Sequence, residues 1–157
     1  MKPFYVSKLM EEDAEEILGW KYEPPYDFYN SELTNEAKQE LLQNTYYSII
    51  GKNKELIGFF CLGPSAQVPS GHKFDAYNED FLDIGIGLKP SLTGKGHGDI
   101  FFAFVLENIH SDKPLRLTVA SFNERAIHLY QKFGFMKGIS FDHNSTNFLI
   151  MVKTNDA

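Results

Sequence analysis

The chain has 157 residues, 43% of them hydrophobic and 23% charged, with 14 Phe, 8 Tyr and a formal net charge of −6. So many large apolar side chains exclude a disordered composition, and the length suits a single domain, residues 1–157, that buries roughly 70% of its unfolded surface. The acidic balance disfavours nucleic acid as a partner, and no apolar run reaches the ~18 residues a membrane helix needs.

Met1 to Leu9 lacks the apolar stretch of a signal peptide, and the one cysteine, Cys61, excludes an internal disulfide. A cytoplasmic protein is expected on both counts. Phe4 to Lys8 reads as a first strand, and Glu11 to Trp20 as a helix with the acidic first turn that the macrodipole favours. Tyr22 to Tyr29 holds Pro24 and Pro25 and is too proline-rich for regular structure, yet dense in aromatics. Thr34 or Asn35 caps a second helix running to about Gln43. Tyr46 to Ile50 and Leu56 to Leu62 are β-favouring runs joined by a short polar turn, a hairpin signal. Gly63 to Asp80 is a polar stretch of the length that suggests a functional loop.

Phe81 to Leu88 is a strand with Leu82, Ile84, Ile86 and Leu88 on one face and Phe81, Asp83, Gly85 and Gly87 on the other. Asp99 to Ile109 is a helix, apolar nearly all round and therefore buried. Leu115 to Ala120 is a strand opened by Pro114. Asn123 to Phe133 carries the clearest helix signature, with Asn123 at the cap and Gly134 just past the end. Strands near Met136 to Phe141 and Phe148 to Lys153 close the chain. The order β-α-α-β-β-β-α-β-α-β-β implies an α+β fold, one mixed sheet with helices on both faces.

Chemistry concentrates at Thr93-Gly94-Lys95-Gly96-His97-Gly98, between a strand and a helix. Alternate glycines let the backbone turn tightly, and the N–H groups at the helix start suit an anion such as a pyrophosphate, with Lys95 adding charge at the rim. The spacing fits neither a Walker loop nor the dinucleotide fingerprint. Alone, the turn fits a phosphate cradle and a plain strand–helix connection equally. The histidines show no metal-ligand spacing, so no metal is expected.

Together with Asp83-Ile84-Gly85-Ile86-Gly87-Leu88 before it and Asn123 through Ala126, Leu129, Tyr130, Lys132 and Gly134-Phe135 after it, the turn strongly resembles the GNAT acetyltransferases. The resemblance spans nearly the whole chain. It implies a mostly antiparallel sheet of six or seven strands with about four helices, and acetyl-CoA as co-substrate. It implies direct transfer of the acetyl group to an amine, a small molecule or a protein N-terminus, by a monomer or homodimer. By the same resemblance the turn wraps the CoA pyrophosphate, Ile86, Gly87 and Leu88 pair with the pantetheine arm, and Asn123 and Ala126 lie against CoA. Thr93 stands where the family has Gln or Arg. Backbone N–H groups do most of the holding, so weaker affinity rather than loss is expected.

Tyr130 matches the family tyrosine that protonates the leaving thiolate; an inner-face packing role is its alternative. Asp83 is the candidate base, expected to point into the cleft. Glu79 and Asp80 are alternatives, and a structural carboxylate fits Asp83 equally. Tyr22, Tyr26 and Tyr29 are the candidate acceptor-binding residues, able to hold a cationic or apolar group. Cys61 reads as a core residue, not a nucleophile. A non-catalytic acetyl-CoA sensor is the competing reading.

Overall fold

A computed structural model of the protein describes residues 4–154. Its elements are β1 (Tyr5–Lys8), α1 (Glu11–Leu18), α2 (Asn35–Gln43), β2 (Tyr46–Ile50), β3 (Leu56–Leu62), β4 (Leu82–Leu88), α3 (His97–Glu107), β5 (Leu115–Ala120), α4 (Glu124–Lys132), β6 (Met136–His143) and β7 (Thr146–Lys153). The order is the one read from the sequence. Seven strands form one sheet in the order β1-β2-β3-β4-β5-β7-β6. β1/β2, β2/β3, β5/β7 and β6/β7 pair antiparallel, and β4/β5 pair parallel.

The chain forms two compact units, Met1–Cys61 with Ile86–Asn108, and Leu62–Gly85 with Ile109–Ala157. In the first, Ala14, Ile17 and Leu18 of α1, Leu41 of α2, and Ile50 and Leu56 of the β2–β3 hairpin form a core with Leu9 and Trp20. These are the inward positions of amphipathic elements, so burial follows from spacing. In the second, Phe141, Phe148 and Ile150 pack with Ala76, Tyr77 and Ala120. Cys61 is a buried residue of β3, as its apolar neighbours indicated.

Several boundaries moved by one or two residues, among them the end of α3, from Ile109 to Glu107, and the starts of β1, β4 and β7; three differences have a visible backbone reason. α1 stops at Leu18, two residues short of Trp20, because Gly19 turns the chain and its N–H bonds back to the Glu15 and Glu16 carbonyls. The stretch Gly63 to Asp80 is not bare loop; it holds two 3-10 turns, Gly63–Ala66 and Pro69–Phe74, each entered through a proline. α3 begins at His97 rather than Asp99, because Gly96 adopts a left-handed conformation (φ +83°) and can itself serve as the N-cap.

Candidate active site

In the first unit, β4 leads through a 3-10 turn at Pro90–Leu92 into the glycine turn. Thr93 closes that turn. Its hydroxyl and its backbone N–H both donate to the Pro90 carbonyl, at 2.7 and 3.1 Å. Gly94 and Gly96 both have positive φ, +70° and +83°. Both strand-to-helix glycines are thus required by the backbone, since other L-residues are strained there. The cap of α3 offers no side-chain acceptor. The first amides of α3, at His97 and Gly98, therefore have no acceptor within the helix, and the positive end of its dipole sits on them. A β-carbon at Gly96 would meet nothing within 4 Å, so the space before the turn is open. A cavity of about 280 Å³ adjoins the turn, lined by Leu88, Leu92, His97 and Phe101 and by Lys52 and Glu55 of the hairpin. Lys52 and Glu55 lie in the turn between β2 and β3, where Glu55 accepts from the Asn53 N–H at 3.0 Å.

The β4 backbone shows how its end is arranged. The β4–β5 ladder comprises two pairs, Leu82↔Leu115 and Asp83↔Arg116, and β4 runs five residues beyond it. Lys89 N–H donates to the Ile57 carbonyl of β3 at 3.0 Å. The Leu88 carbonyl shares that planar trans peptide and so points the opposite way, along the edge turned from β3. Alternation places the Ile86 groups on the same edge and those of Gly87 towards β3. The Gly87 carbonyl indeed lies 2.5 Å from where a Gly58 β-carbon would stand, and a Gly87 β-carbon would fall 2.1 Å from the Phe59 ring. A side chain at 87 would therefore collide with Phe59 of β3, a packing demand on this glycine that the sequence reading did not name.

The aromatic segment is partly regular. After a cis Pro24–Pro25 bond, Tyr26–Tyr29 forms one 3-10 turn. Phe28 and Tyr29 are exposed and meet edge to face at 5.1 Å, and Tyr26 is half-buried. Tyr22 is different. Its hydroxyl donates to the Leu88 carbonyl at 2.8 Å.

In the second unit, Asp83 is 3% exposed and does not open on a cleft. Arg116 Nε donates to its Oδ1 at 2.6 Å and Nη2 to its Oδ2 at 2.8 Å, a two-pronged ion pair. Gln67 Nε2 also donates to Oδ2, at 2.8 Å, and Gln67 Oε1 contacts His72 Nε2 at 2.9 Å. The guanidinium carbon lies over the Tyr77 and Phe81 rings, 5.1 and 5.3 Å from their centroids. The hydrogen bond to Asp83 holds the Arg116 proton more tightly than usual, against the opposing effect of burial. Burial likewise pushes the Tyr77 hydroxyl up, partly countered by its bonds to Thr118 and the Val68 N–H. Strand alternation correctly set Asp83 apart from the apolar row, but Arg116 was not foreseen as its partner. A Lys or Arg in a strand carries no signal of what lies on the next strand.

Asn123 caps α4, its Oδ1 accepting from the Ala126 N–H at 3.1 Å. Tyr130 lies on the buried face of α4, 7% exposed, with its ring 6.2 Å from that of Phe135. Gly134, at φ +94°, turns the chain out of the helix. Among the described residues, no group of three or more His, Cys, Asp or Glu side chains is placed to hold a metal, and no helix is long and apolar enough to cross a membrane.

The model of the acetyltransferase (GNAT) family matches residues 9–135. No curated protein sequence matches the chain. Among solved structures, one provisionally named as a phosphinothricin N-acetyltransferase superposes with a TM-score of 0.69 at 16% identity, covering 98% of this chain and 99% of that one. A variant of the spermidine N-acetyltransferase SpeG from Vibrio cholerae gives 0.64 at 19% identity, covering 96% and 93%. A GNAT-family acetyltransferase from Bacillus anthracis gives 0.61 at 13% identity, covering 98% and 96%. At these identities the likeness is one of fold.

Proposed function

Because the chain belongs to the GNAT acetyltransferase family, we propose that it transfers the acetyl group of acetyl-CoA directly to an amine in the cytoplasm. The observation that carries this reading is the turn at residues 93–98. Two left-handed glycines, the α3 N-terminus at His97 and Gly98 with no side-chain cap, and open space in front of Gly96 suit a pyrophosphate, with Lys95 exposed beside them. In this reading the outward edge of β4 at Ile86 and Leu88 pairs with the amide groups of the pantetheine arm. Gly87 serves that edge only by letting β4 lie close to Phe59. An N–H of that edge polarises the thioester carbonyl. The amine nitrogen attacks the carbonyl carbon, a C–N bond forms, and the C–S bond breaks. The nitrogen gives its proton to solvent, and the thiolate takes one from the Tyr130 hydroxyl, which solvent restores. Asp83 serves as an anchor rather than a base, since both its oxygens are engaged by Arg116. Asn123 and Ala126 fix the start of α4 through the Ala126 N–H bond to Asn123 Oδ1.

Tyr26 and Tyr29, with the exposed Phe28, offer aromatic faces to the acceptor, and Glu23 and Asp27 in the same segment offer negative charge. Together they suit an ammonium-bearing molecule. Spermidine and phosphinothricin, the amines named for structural neighbours, are the first acceptors to assay. A second reading, an acetyl-CoA sensor without turnover, is favoured by the engagement of Asp83. Thiol release with an amine panel separates the two.

The test of the cofactor reading is calorimetry with acetyl-CoA on the wild type and on Gly96→Glu. A β-carbon at Gly96 meets no protein atom within 4 Å, and the carboxylate brings an anion to the turn; Gly96→Ala, which carries the same left-handed strain without the charge, is the control. Wild-type binding that the folded variant lacks supports the reading. A wild type that binds no acetyl-CoA refutes it.

A further inference from the structure

Tyr22 joins two segments of the first unit. Its backbone N–H donates to Asn30 Oδ1 at 2.7 Å and closes residues 22–30 into a loop, and Lys21 Nζ donates to the Ser31 carbonyl at 2.9 Å just outside it. Its hydroxyl reaches the last residue of β4, donating to the Leu88 carbonyl at 2.8 Å. That carbonyl lies on the edge of β4 turned from β3, as the Lys89–Ile57 bond requires. A second tie runs alongside. Glu16 Oε2 accepts from Trp20 Nε1 at 3.2 Å and faces Lys89 Nζ at 3.5 Å. The aromatic segment is thus fastened to the last residue of β4 through Tyr22, while Glu16 of α1 faces Lys89 just beyond that strand.

The geometry points to Tyr22 as a positioning residue that couples occupancy of the Ile86–Leu88 edge to the order of residues 22–31. The inference rests on the acetyl-CoA reading, in which that edge takes amide groups of the pantetheine arm. A carbonyl oxygen has two lone pairs. An amide N–H placed on the Leu88 carbonyl shares the oxygen with the Tyr22 hydroxyl, so the oxygen is held from two sides and the phenol with it. Restricting the phenol restricts the loop whose first N–H belongs to the same residue. Tyr22 therefore acts on the acceptor segment from behind, while Tyr29 is exposed and Tyr26 half-buried.

Hydrogen exchange read by mass spectrometry on the full chain, with and without saturating acetyl-CoA, tests this. In the wild type, acetyl-CoA slows exchange across residues 22–31 by roughly threefold to tenfold, the strength of about one hydrogen bond. Tyr22→Phe keeps the slowing at residues 93–98 and loses it at 22–31. Asn30→Ala, which leaves the Tyr22–Leu88 bond intact and cuts the loop from it, does the same. A purely structural role would speed exchange equally with and without acetyl-CoA and leave the ligand-induced difference unchanged; that result overturns the inference. So does a wild type protected at 93–98 but not at 22–31, which leaves the acetyl-CoA reading standing. Absence of protection anywhere, with no heat of binding, overturns both.

Discussion

Replacing Asp83 with Asn separates a base from an anchor. Asp83 and Arg116 are each 3% exposed, and the carboxylate accepts three hydrogen bonds, two from Arg116 and one from Gln67. An Asn side chain keeps one acceptor for Arg116 Nε. Its NH₂ then faces two donors, Arg116 Nη2 and Gln67 Nε2, so two bonds become donor–donor contacts. The guanidinium is left buried with no compensating charge, held by that one amide oxygen, by the Glu79 carbonyl at 3.2 Å and by the Tyr77 and Phe81 rings. Breaking a buried pair from one side costs about 3–5 kcal/mol. At about 2–4 °C per kcal/mol for a chain of this size, the thermal midpoint should fall by roughly 6–20 °C. Replacing both partners, Asp83→Leu with Arg116→Met, removes the unpaired charge and should recover most of that loss. Thermal and urea unfolding at pH 7, followed by far-ultraviolet circular dichroism, measure both. Acetyl transfer is then compared at a temperature where each variant is folded. A midpoint for Asp83→Asn within about 2 °C of wild type, together with a turnover loss of about 10²-fold or more, would refute the anchor argument and restore Asp83 as the base.

Two further outcomes follow from the packing and titration of the same units. Gly87→Ala places a β-carbon 2.1 Å from the Phe59 ring and should cost about 1–3 kcal/mol by overpacking. Phe59→Leu in the same chain should return part of that loss, and a Gly87→Ala midpoint equal to wild type would show that the close approach is relieved at no cost. Tyr77 has its hydroxyl pushed above the ordinary value of 10.0 by burial, so the folded state keeps that proton after the unfolded chain has lost it. Its contribution is complete below pH 10 and declines as pH rises from there through the folded value, because the folded state binds more protons in that window. Unfolding midpoints at pH 8 to 11 should fall more steeply for wild type than for Tyr77→Phe; equal slopes would show that burial leaves this tyrosine unmoved.

The sequence by itself determined the order of every strand and α-helix and the limits of β2, β3 and β5. Those features are local. Alternation, a polar turn, a capping Asn123 and a stopping Gly134 act over a few residues, and their physics is complete within them. The glycine turn was legible for the same reason, since positive φ at Gly94 and Gly96 is a backbone demand that the residue type announces. Tertiary structure alone decided what several side chains do there. Asp83 became an anchor because Arg116, 33 residues on, lies opposite it in the parallel ladder. Phe59 leaves no room for a side chain at Gly87, and the Tyr22 hydroxyl met a carbonyl 66 residues away. Aspartate reads alike as base or ion-pair partner, glycine as ligand cradle or packing relief, and tyrosine as acceptor contact or tether. The choice rests on which atoms the sheet brings within about 3 Å, a distance that no periodicity along the chain encodes.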